Sequence, residues 1–420
     1  MKIIGIIAEY NPFHNGHAYQ IKKIKEELHA DYVVVAMSGD FVQRGAPAII
    51  DKYARAKMAL SCGADLVIEL PVLWATASAE YFAIAGVTLF EKMGCMDGIC
   101  FGAETDDLDT LSTIADVLAC EPESYRSALS SYLKTGMSFP VARSKALCDS
   151  FVIDSSILNE PNNILAIEYL KALKRRRSSI RPYVIKREGA GYHDAELVTV
   201  ATEYAPTASA TAIRKILDTP APVAETDNFD ALTDTMPAAT LEILKEYVSK
   251  KSLLCTNDFS SILGYLLLTS DANTLTAIAD LNSDVANRLI KNRMNFASFE
   301  QFCEHNKSKE ITYTRISRIL LHLILNIKKS DYTFGKDIDY IPYLRILGFR
   351  KDASALLKEL KIRSTIPVIS KLADADSFLD EEALKLLTKD IFAADLYEHI
   401  AANKSKKISR NEYTRSIIQI

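Results

Sequence analysis

Over the first hundred residues, short apolar runs alternate with stretches whose apolar positions recur every three or four residues. Ile3-Ile4-Gly5-Ile6-Ile7, Asp31-Tyr32-Val33-Val34-Val35-Ala36, Leu66-Val67-Ile68-Glu69-Leu70 and Gly98-Ile99-Cys100-Phe101 have the length and branching of buried strands. Between them, helical spacing predicts helices over about 16–29, 50–61 and 78–93. Nearly all-apolar strands alternating with helices predict an α/β fold, a Rossmann-like parallel sheet covered on both faces. In such sheets a ligand sits beyond the carboxyl ends of the strands. The candidate site segments are therefore 8–17, 38–45, 70–71 and 102–104.

From 108 to 173 the pattern is helical, and Ile180 to Ile185 predicts a fifth strand. Asp218-Thr219-Pro220-Ala221-Pro222 opens a Pro-rich, acidic stretch that reads as a boundary. The expected organisation is a nucleotide-binding catalytic domain over 1–217, a linker over 218–230 and a mostly α-helical C-terminal domain over 231–420. Helices are expected there at about 241–248, 259–268, 283–291, 316–327, 353–360, 366–372 and 381–387.

Composition narrows the class little. The chain has 420 residues, 48% hydrophobic and 25% charged, with net charge −4, so no global basic field announces nucleic acid. Its seven cysteines form no CxxC pair, which fits a reduced cytoplasmic protein without a structural metal. The longest apolar run, Ile319 to Leu325, is too short to span a bilayer, so no membrane is expected. Local positive charge gathers in Lys171, Lys174, Arg175, Arg176, Arg177, Arg181, Lys186 and Arg187, in Arg315, Arg318, Lys328 and Lys329, and in Lys404, Lys406, Lys407, Arg410 and Arg415. With Tyr313, Tyr332, Phe334, Tyr340 and Tyr343 between them, the later clusters suit RNA; solvated helix faces over core tyrosines are the equal alternative.

The chemistry concentrates where the first strand meets the first helix, in Ile7-Ala8-Glu9-Tyr10-Asn11-Pro12-Phe13-His14-Asn15-Gly16-His17-Ala18-Tyr19-Gln20. A helix N-terminus presents unpaired N–H groups and attracts phosphate. Imidazoles there can hydrogen-bond a phosphate oxygen. His14-Asn15-Gly16-His17 resembles the HIGH signature of the nucleotidyltransferase superfamily, which includes class I aminoacyl-tRNA synthetases. Ser209-Ala210-Thr211-Ala212-Ile213-Arg214 resembles its second signature, in which hydroxyl and N–H groups hold a triphosphate and the arginine neutralises it. Arg187, followed by the Gly-rich Glu188 to His193, has the form of a phosphate-contacting loop. Gly102 is placed to let adenine or ribose pack on bare backbone, and Asn162 either reads a ribose hydroxyl or base edge or simply caps a helix. Asp40, with Gln43 and Arg44, lies near the crevice as a candidate for acetate or cytosine, or as a turn residue. No Walker A pattern and no Gly-x-Ser-x-Gly elbow occur, which speaks against a P-loop or an acyl-serine.

The order GIIAEYNPFHNGH, SGDFVQRG, GADLVIELP, FGAE, EPNNILAIEYLKAL, REGAGYH, SATAIR and TYTRISRILLHLIL resembles the bacterial tRNA(Met) cytidine acetate ligase family over essentially the whole chain. The resemblance implies an enzyme that uses ATP, with Mg2+ carried on the nucleotide, to activate acetate as acetyl-adenylate. It then passes the acetyl group to the wobble cytidine of elongator tRNA(Met), without coenzyme A. It also implies that His14 and His17, with Asp40 as the third catalytic candidate, act at the α-phosphate and its acceptor. Where Asp40 stands the family motif often has Asn. Two other readings remain open on the residues alone: an adenylyltransferase acting on a small phosphorylated metabolite, and a non-catalytic nucleotide-binding adaptor.

Overall fold

The structure, a computed structural model, describes residues 1–137, 139–150, 155–187, 206, 208–217 and 227–420. The apolar runs form β1 (Ile3–Ala8), β2 (Tyr32–Ser38), β5 (Leu66–Leu70), β6 (Gly98–Ala103) and β7 (Arg181–Lys186), while β3 (Phe41–Val42) and β4 (Ala46–Pro47) make a small separate hairpin. Three further strands arise far along the chain: β8 (Leu344–Phe349), β9 (Val368–Ile369) and β10 (Ile418–Gln419). The sheet runs β10-β8-β5-β2-β1-β6-β7, with β9 also paired to β8. All pairings are parallel except β5 with β8.

The first strands step from β1 to β2 to β5 in one direction, and the chain then returns to lay β6 on the other side of β1. That reversal is a topological switch point, where the loops leaving two neighbouring strands part and open a crevice. Four early helices cover the sheet: α1 (Asn15–Glu26), α2 (Lys52–Ser61), α3 (Val72–Ala75) and α4 (Ala79–Met93). After α5 (Leu108–Cys120), α6 (Glu123–Lys134) and α7 (Phe139–Ser150), the long α8 (Pro161–Arg176) leads into β7, and α9 (Ala210–Leu217) follows.

Strands from the last part of the chain join the sheet of the first. β8, β9 and β10 belong to the segment expected to be mostly helical, and they extend the sheet of the first half. One continuous apolar core contains Ala36 and Ile68 together with Leu344, Leu386 and Tyr397. The helix expected over 366–372 is instead β9 followed by a 3-10 helix at Leu372–Ser377, and the helix expected at 381–387 runs from Glu381 to Lys404. The linker expected over 218–230 lies outside the described residues except for its last turn, Asp227–Asp230, which is helical. The Gly-rich loop Glu188 to His193 also lies outside them.

A buried ionic cluster ties the late strands to the early ones. Lys52 at the start of α2, Glu69 on β5, Arg345 on β8 and Glu412 near the C-terminus are each at most 5% exposed. The Lys52 ammonium lies 2.8 Å from Glu69 Oε1 and 2.6 Å from Glu412 Oε1, and Arg345 lies 3.1 Å from Glu69 Oε2 and 2.5 Å from Glu412 Oε1.

Candidate functional site

At the switch point lies a cavity of about 660 Å³, within the range of small-ligand sites. Its floor is the end of β1 and the turn after it: Ile7, Ala8, Glu9, Tyr10 and Asn11. The buried side chain of Arg55 holds that turn in place. It donates to the carbonyls of Glu9 at 2.7 Å and Ser38 at 3.0 Å and also to that of Gly39, locking the ends of β1 and β2 together.

His14 and His17 build the start of α1. His14 is the N-cap, and its Nδ1 accepts the Gly16 N–H at 3.1 Å; His17 Nδ1 accepts the His14 N–H at 3.2 Å. The two rings stack with centroids 3.7 Å apart. This reciprocal box satisfies two otherwise orphaned backbone donors. It also fixes the tautomers by hydrogen-bond assignment: with Nδ1 accepting, the proton of each neutral ring is on Nε2. Burial, reinforced by Arg187 and Arg214, pushes His14 down to about 3, and burial with the neighbouring His14 pushes His17 well below its usual value. The pair is therefore two neutral N–H donors at pH 7.

The cations come from separate elements. Arg187 follows β7 and is joined to the end of β6 by its N–H to the Ala103 carbonyl, 2.8 Å. Its stem occupies the space a side chain at Gly102 would need, a Cβ there lying 3.2 Å from Arg187 Cγ. Gly102 thus makes room for the arginine stem, and it lines the cavity itself. Arg214 on α9 donates to the Asn11 carbonyl at 2.7 Å and to Thr211 Oγ1 at 3.1 Å. Ser209 caps α9 by accepting the Ala212 N–H at 3.0 Å. Arg187, Ser209, Thr211 and Arg214 all line the cavity.

Asn162 also lines it, but its amide donates to Glu104 Oε1 at 2.5 Å. Glu104 accepts the Asn163 N–H as well, and Asn163 Oδ1 in return accepts the N–H groups of Glu104 and Thr105. This clamp welds the end of β6 to the start of α8, so the Asn162 amide nitrogen is already engaged in it.

Some expected positions fall outside the cavity lining. Pro12, Phe13, Asn15, Gly16, Ala18 and Tyr19 are absent from it; Asn15 instead donates to the carbonyls of Pro206 at 2.8 Å and Asp234 at 2.9 Å. Gln20 does line the cavity and donates to the Cys100 carbonyl. Asp40 also lies outside the cavity lining: it is buried, accepts the Lys52 N–H at 2.7 Å and belongs to the ionic cluster. The turn geometry that made it a candidate aims its carboxylate at the helix start behind the loop.

Other lining residues, Gln43 and Arg44 excepted, lack any sequence signal. Phe82, Phe101, Ile164, Leu165 and Tyr169 form an apolar wall, and Leu253, Leu254, Cys255, Thr256 and Glu300 close the far side from the C-terminal half. Gln43, Arg44, Ala46 and Pro47 reach in from the small hairpin. That hairpin packs on the helix Tyr313–Ile324: the Gly45 carbonyl accepts from Ser317 Oγ at 2.8 Å.

The first four cations of the basic run after 171 are paired with acids, most of them distant in sequence. Lys171 pairs with Glu168 and Glu80, Lys174 with Asp116, Arg175 with Glu80, and Arg176 with Glu91 and Asp339. Arg318 pairs with Asp280, Lys404 with Asp258 and Arg415 with Glu398. Tyr332 and Tyr343 are buried in the core. Among the described residues, no group of three or more His, Cys, Asp or Glu is placed to hold a metal ion, and no helix is long and apolar enough to cross a membrane.

Comparison with known proteins gives matches along the full chain. A family model described as HIGH Nucleotidyl Transferase covers residues 1–412. The tRNA(Met) cytidine acetate ligase of Thermoanaerobacter sp. (strain X514) is 41% identical over a 425-residue alignment covering 100% of both chains. That of Acetivibrio thermocellus is 39% identical over 424 residues, again covering 100% of both. The crystal structure of apo Thermotoga maritima TmcAL (form I) superposes with a TM-score of 0.91 at 28% identity, covering 100% of both chains. The structure of the Thermotoga maritima protein bound with alpha-thio ATP gives 0.89 at 28% identity, over 100% of this chain and 99% of that one.

Proposed function

Because the chain belongs to the HIGH nucleotidyltransferase family and, within it, aligns from end to end with the tRNA(Met) cytidine acetate ligases, we propose that it is an ATP-dependent ligase acetylating the wobble cytidine of elongator tRNA(Met). The observation that carries this reading is the meeting, in one cavity, of the neutral His14–His17 donor pair with Arg187, Arg214 and the capped start of α9.

The residues fit a nucleoside triphosphate. The apolar wall of Phe82, Phe101 and Tyr169 suits the face of a base, and the cations and N–H donors suit its phosphates. Acetate is inert toward an aromatic amine because oxide is its leaving group; attack of an acetate oxygen on the α-phosphorus expels pyrophosphate and gives acetyl-adenylate. Such a step requires alignment and charge neutralisation more than a protein nucleophile. His14 and His17 offer their Nε2–H groups to the α-phosphate oxygens as charge builds there. Arg187 and Arg214 balance the triphosphate, and Mg2+ arrives with the nucleotide. The cytidine amine then takes the acetyl group and AMP leaves, with acetate itself and not a coenzyme A thioester as acyl source.

For the tRNA, the neutralised run on α8 supports little. The exposed Lys406 and Arg410 beyond the helix Glu381–Lys404 are better placed to meet phosphates. Work on tRNA puts the protein in the cytoplasm. Incubation with ATP, labelled acetate and bulk bacterial tRNA, followed by nucleoside analysis, tests the reading. Label is expected in acetylcytidine only when ATP is present; label arriving from acetyl-coenzyme A without ATP, or none at all, would overturn it.

A further inference from the structure

Transfer of an acetyl group to a cytosine amine needs a proton acceptor. The exocyclic N4 lone pair is delocalised into the ring, so N4 attacks carbonyl carbon only as its proton is drawn away. The cavity is lined with potential acceptors, but most are committed. His14 and His17 each use Nδ1 to accept a backbone N–H and carry the proton on Nε2, which makes them donors. Of the two lining carboxylates, Glu300 is held by Thr256 Oγ1 at 2.8 Å and Asn257 Nδ2 at 3.0 Å. The Cys255 sulfur is taken up in a capping box with Asp258.

Glu9 is different. It stands immediately after β1, at the switch point and beside the histidine pair, and it lines the cavity. Its main-chain carbonyl is gripped by the buried Arg55 at 2.7 Å. Its carboxylate accepts the Gln43 N–H on Oε1 at 2.9 Å, and among the described residues that is the one hydrogen bond the carboxylate makes. Arg44 and Arg214 both feel its charge, yet neither approaches closely enough to form an ion pair with it. A carboxylate steered on one oxygen and open on the other is built to accept a proton, and a carboxylate is the natural partner of a cytosine N4–H.

Building on the acetate-ligase reading, we infer that Glu9 is the general base of the transfer half-reaction and receives an N4–H of the target cytidine. The bond from N4 to the acetyl carbon forms, the bond from that carbon to the phosphate oxygen breaks, and AMP departs with the electron pair. The N4 proton passes to Glu9 Oε2 and from there to solvent. The adenylation half-reaction moves no proton from carbon or nitrogen and does not need Glu9.

Glu9→Gln keeps the side chain's size and its acceptor for Gln43, so the fold is expected to survive, as read by an unchanged melting curve. Two assays on this variant separate the half-reactions. Single-turnover transfer to tRNA from supplied acetyl-adenylate should fall about 10²–10⁴-fold, far more than acetate-dependent ATP–pyrophosphate exchange does. Glu9→Asp, which keeps a carboxylate, should restore part of the transfer rate that Glu9→Gln loses. If exchange falls in parallel with transfer, Glu9 serves the nucleotide and the inference is wrong; unchanged transfer sinks it as directly. Wild-type protein lacking acetate-dependent exchange would overturn the ligase reading itself, an outcome visible before any variant is made.

Discussion

Replacing Lys52 with Met keeps most of the side chain's volume and removes one charge from the buried cluster. Lys52 is 1% exposed, and its ammonium contacts Glu69 and Glu412 at 2.8 and 2.6 Å, with Asp40 Oδ2 at 3.9 Å. With all groups ionised the cluster sets Lys52 and Arg345 against Asp40, Glu69 and Glu412. Burial pushes Asp40 up to about 7. Burial also works to raise Glu412, but Lys52 and Arg345 overcome it and hold Glu412 down to about 2. One ion pair at such a distance is worth roughly 6 kcal/mol in Coulomb energy at an effective dielectric of about 20. Much of that is cancelled by desolvation, and removing one partner of a buried pair costs about 3–5 kcal/mol because the other charge is stranded. That is a large share of a typical folding free energy of about 5–15 kcal/mol. Urea titration at pH 7.5 should show the midpoint falling at constant slope, the shift multiplied by the slope giving that loss. The double variant Lys52→Met with Glu69→Gln should recover part of the loss, since it removes a stranded charge. A loss below about 1 kcal/mol, or no recovery in the double variant, would refute the stranded-charge argument.

His14→Ala removes one Nε2–H donor and one helix cap, so adenylation should drop about 10²–10³-fold for roughly 1 kcal/mol of stability; pyrophosphate exchange and a thermal melt measure the two. Gly45 has φ +77 and a Cβ there would sit 2.3 Å from the Arg318 N, so Gly45→Ala should displace the hairpin carrying Gln43 and Arg44 and lower activity. Gly136→Ala, at φ +83 with nothing within 4 Å, should cost only about 1–2 kcal/mol of backbone strain and leave turnover unchanged. Arg214→Lys loses the forked contact to Asn11 and Thr211 and should raise the KM for ATP by about tenfold, read by initial rates. His14 is held down to about 3 against an ordinary 6.5, so the unfolded chain binds a proton that the folded one refuses. Its contribution to stability is present above pH 6.5 and is lost as pH falls towards 3, at up to roughly 1 kcal/mol per pH unit. Urea midpoints measured between pH 7 and pH 4 should fall less steeply in a His14→Asn variant.

The first five strands of the sheet, the histidine pair and the Ser209–Arg214 helix start are legible because each is written locally: an apolar run, a cap, a turn. What sequence conceals is set by distant partners. β8 reads poorly as a strand because Arg345 interrupts Leu344–Phe349, and the charge is tolerated only through Glu69 and Glu412. Arg55 passes for an ordinary helix residue, although its guanidinium holds four main-chain carbonyls together, those of Glu9, Ser38, Gly39 and Ile50. The basic run on α8 looks unpaired because Glu80, Glu91 and Asp116 lie well upstream and Asp339 far downstream in the chain. Asp40 shows the converse: its position after β2 is legible, but sequence does not reveal that its carboxylate meets the Lys52 N–H and not the cavity.

The cluster that joins Tyr53 and Lys52 to Glu412 spans 359 positions between the first of these and the last. A ribosome therefore delivers the histidine pair, Arg55 and the hairpin long before it delivers the carboxylate and the β8–β10 strands that lock their surroundings. Until residue 412 has emerged, Lys52 and Glu69 lack part of their partner set, and the edge of β5 waits for β8. A nascent chain displays its phosphate-binding turn and the whole lining of the cavity, which ends at Glu300, before the sheet behind them is complete. A chain cut short before Glu412 would keep the motif and the lining but leave Lys52 and Arg345 without that carboxylate.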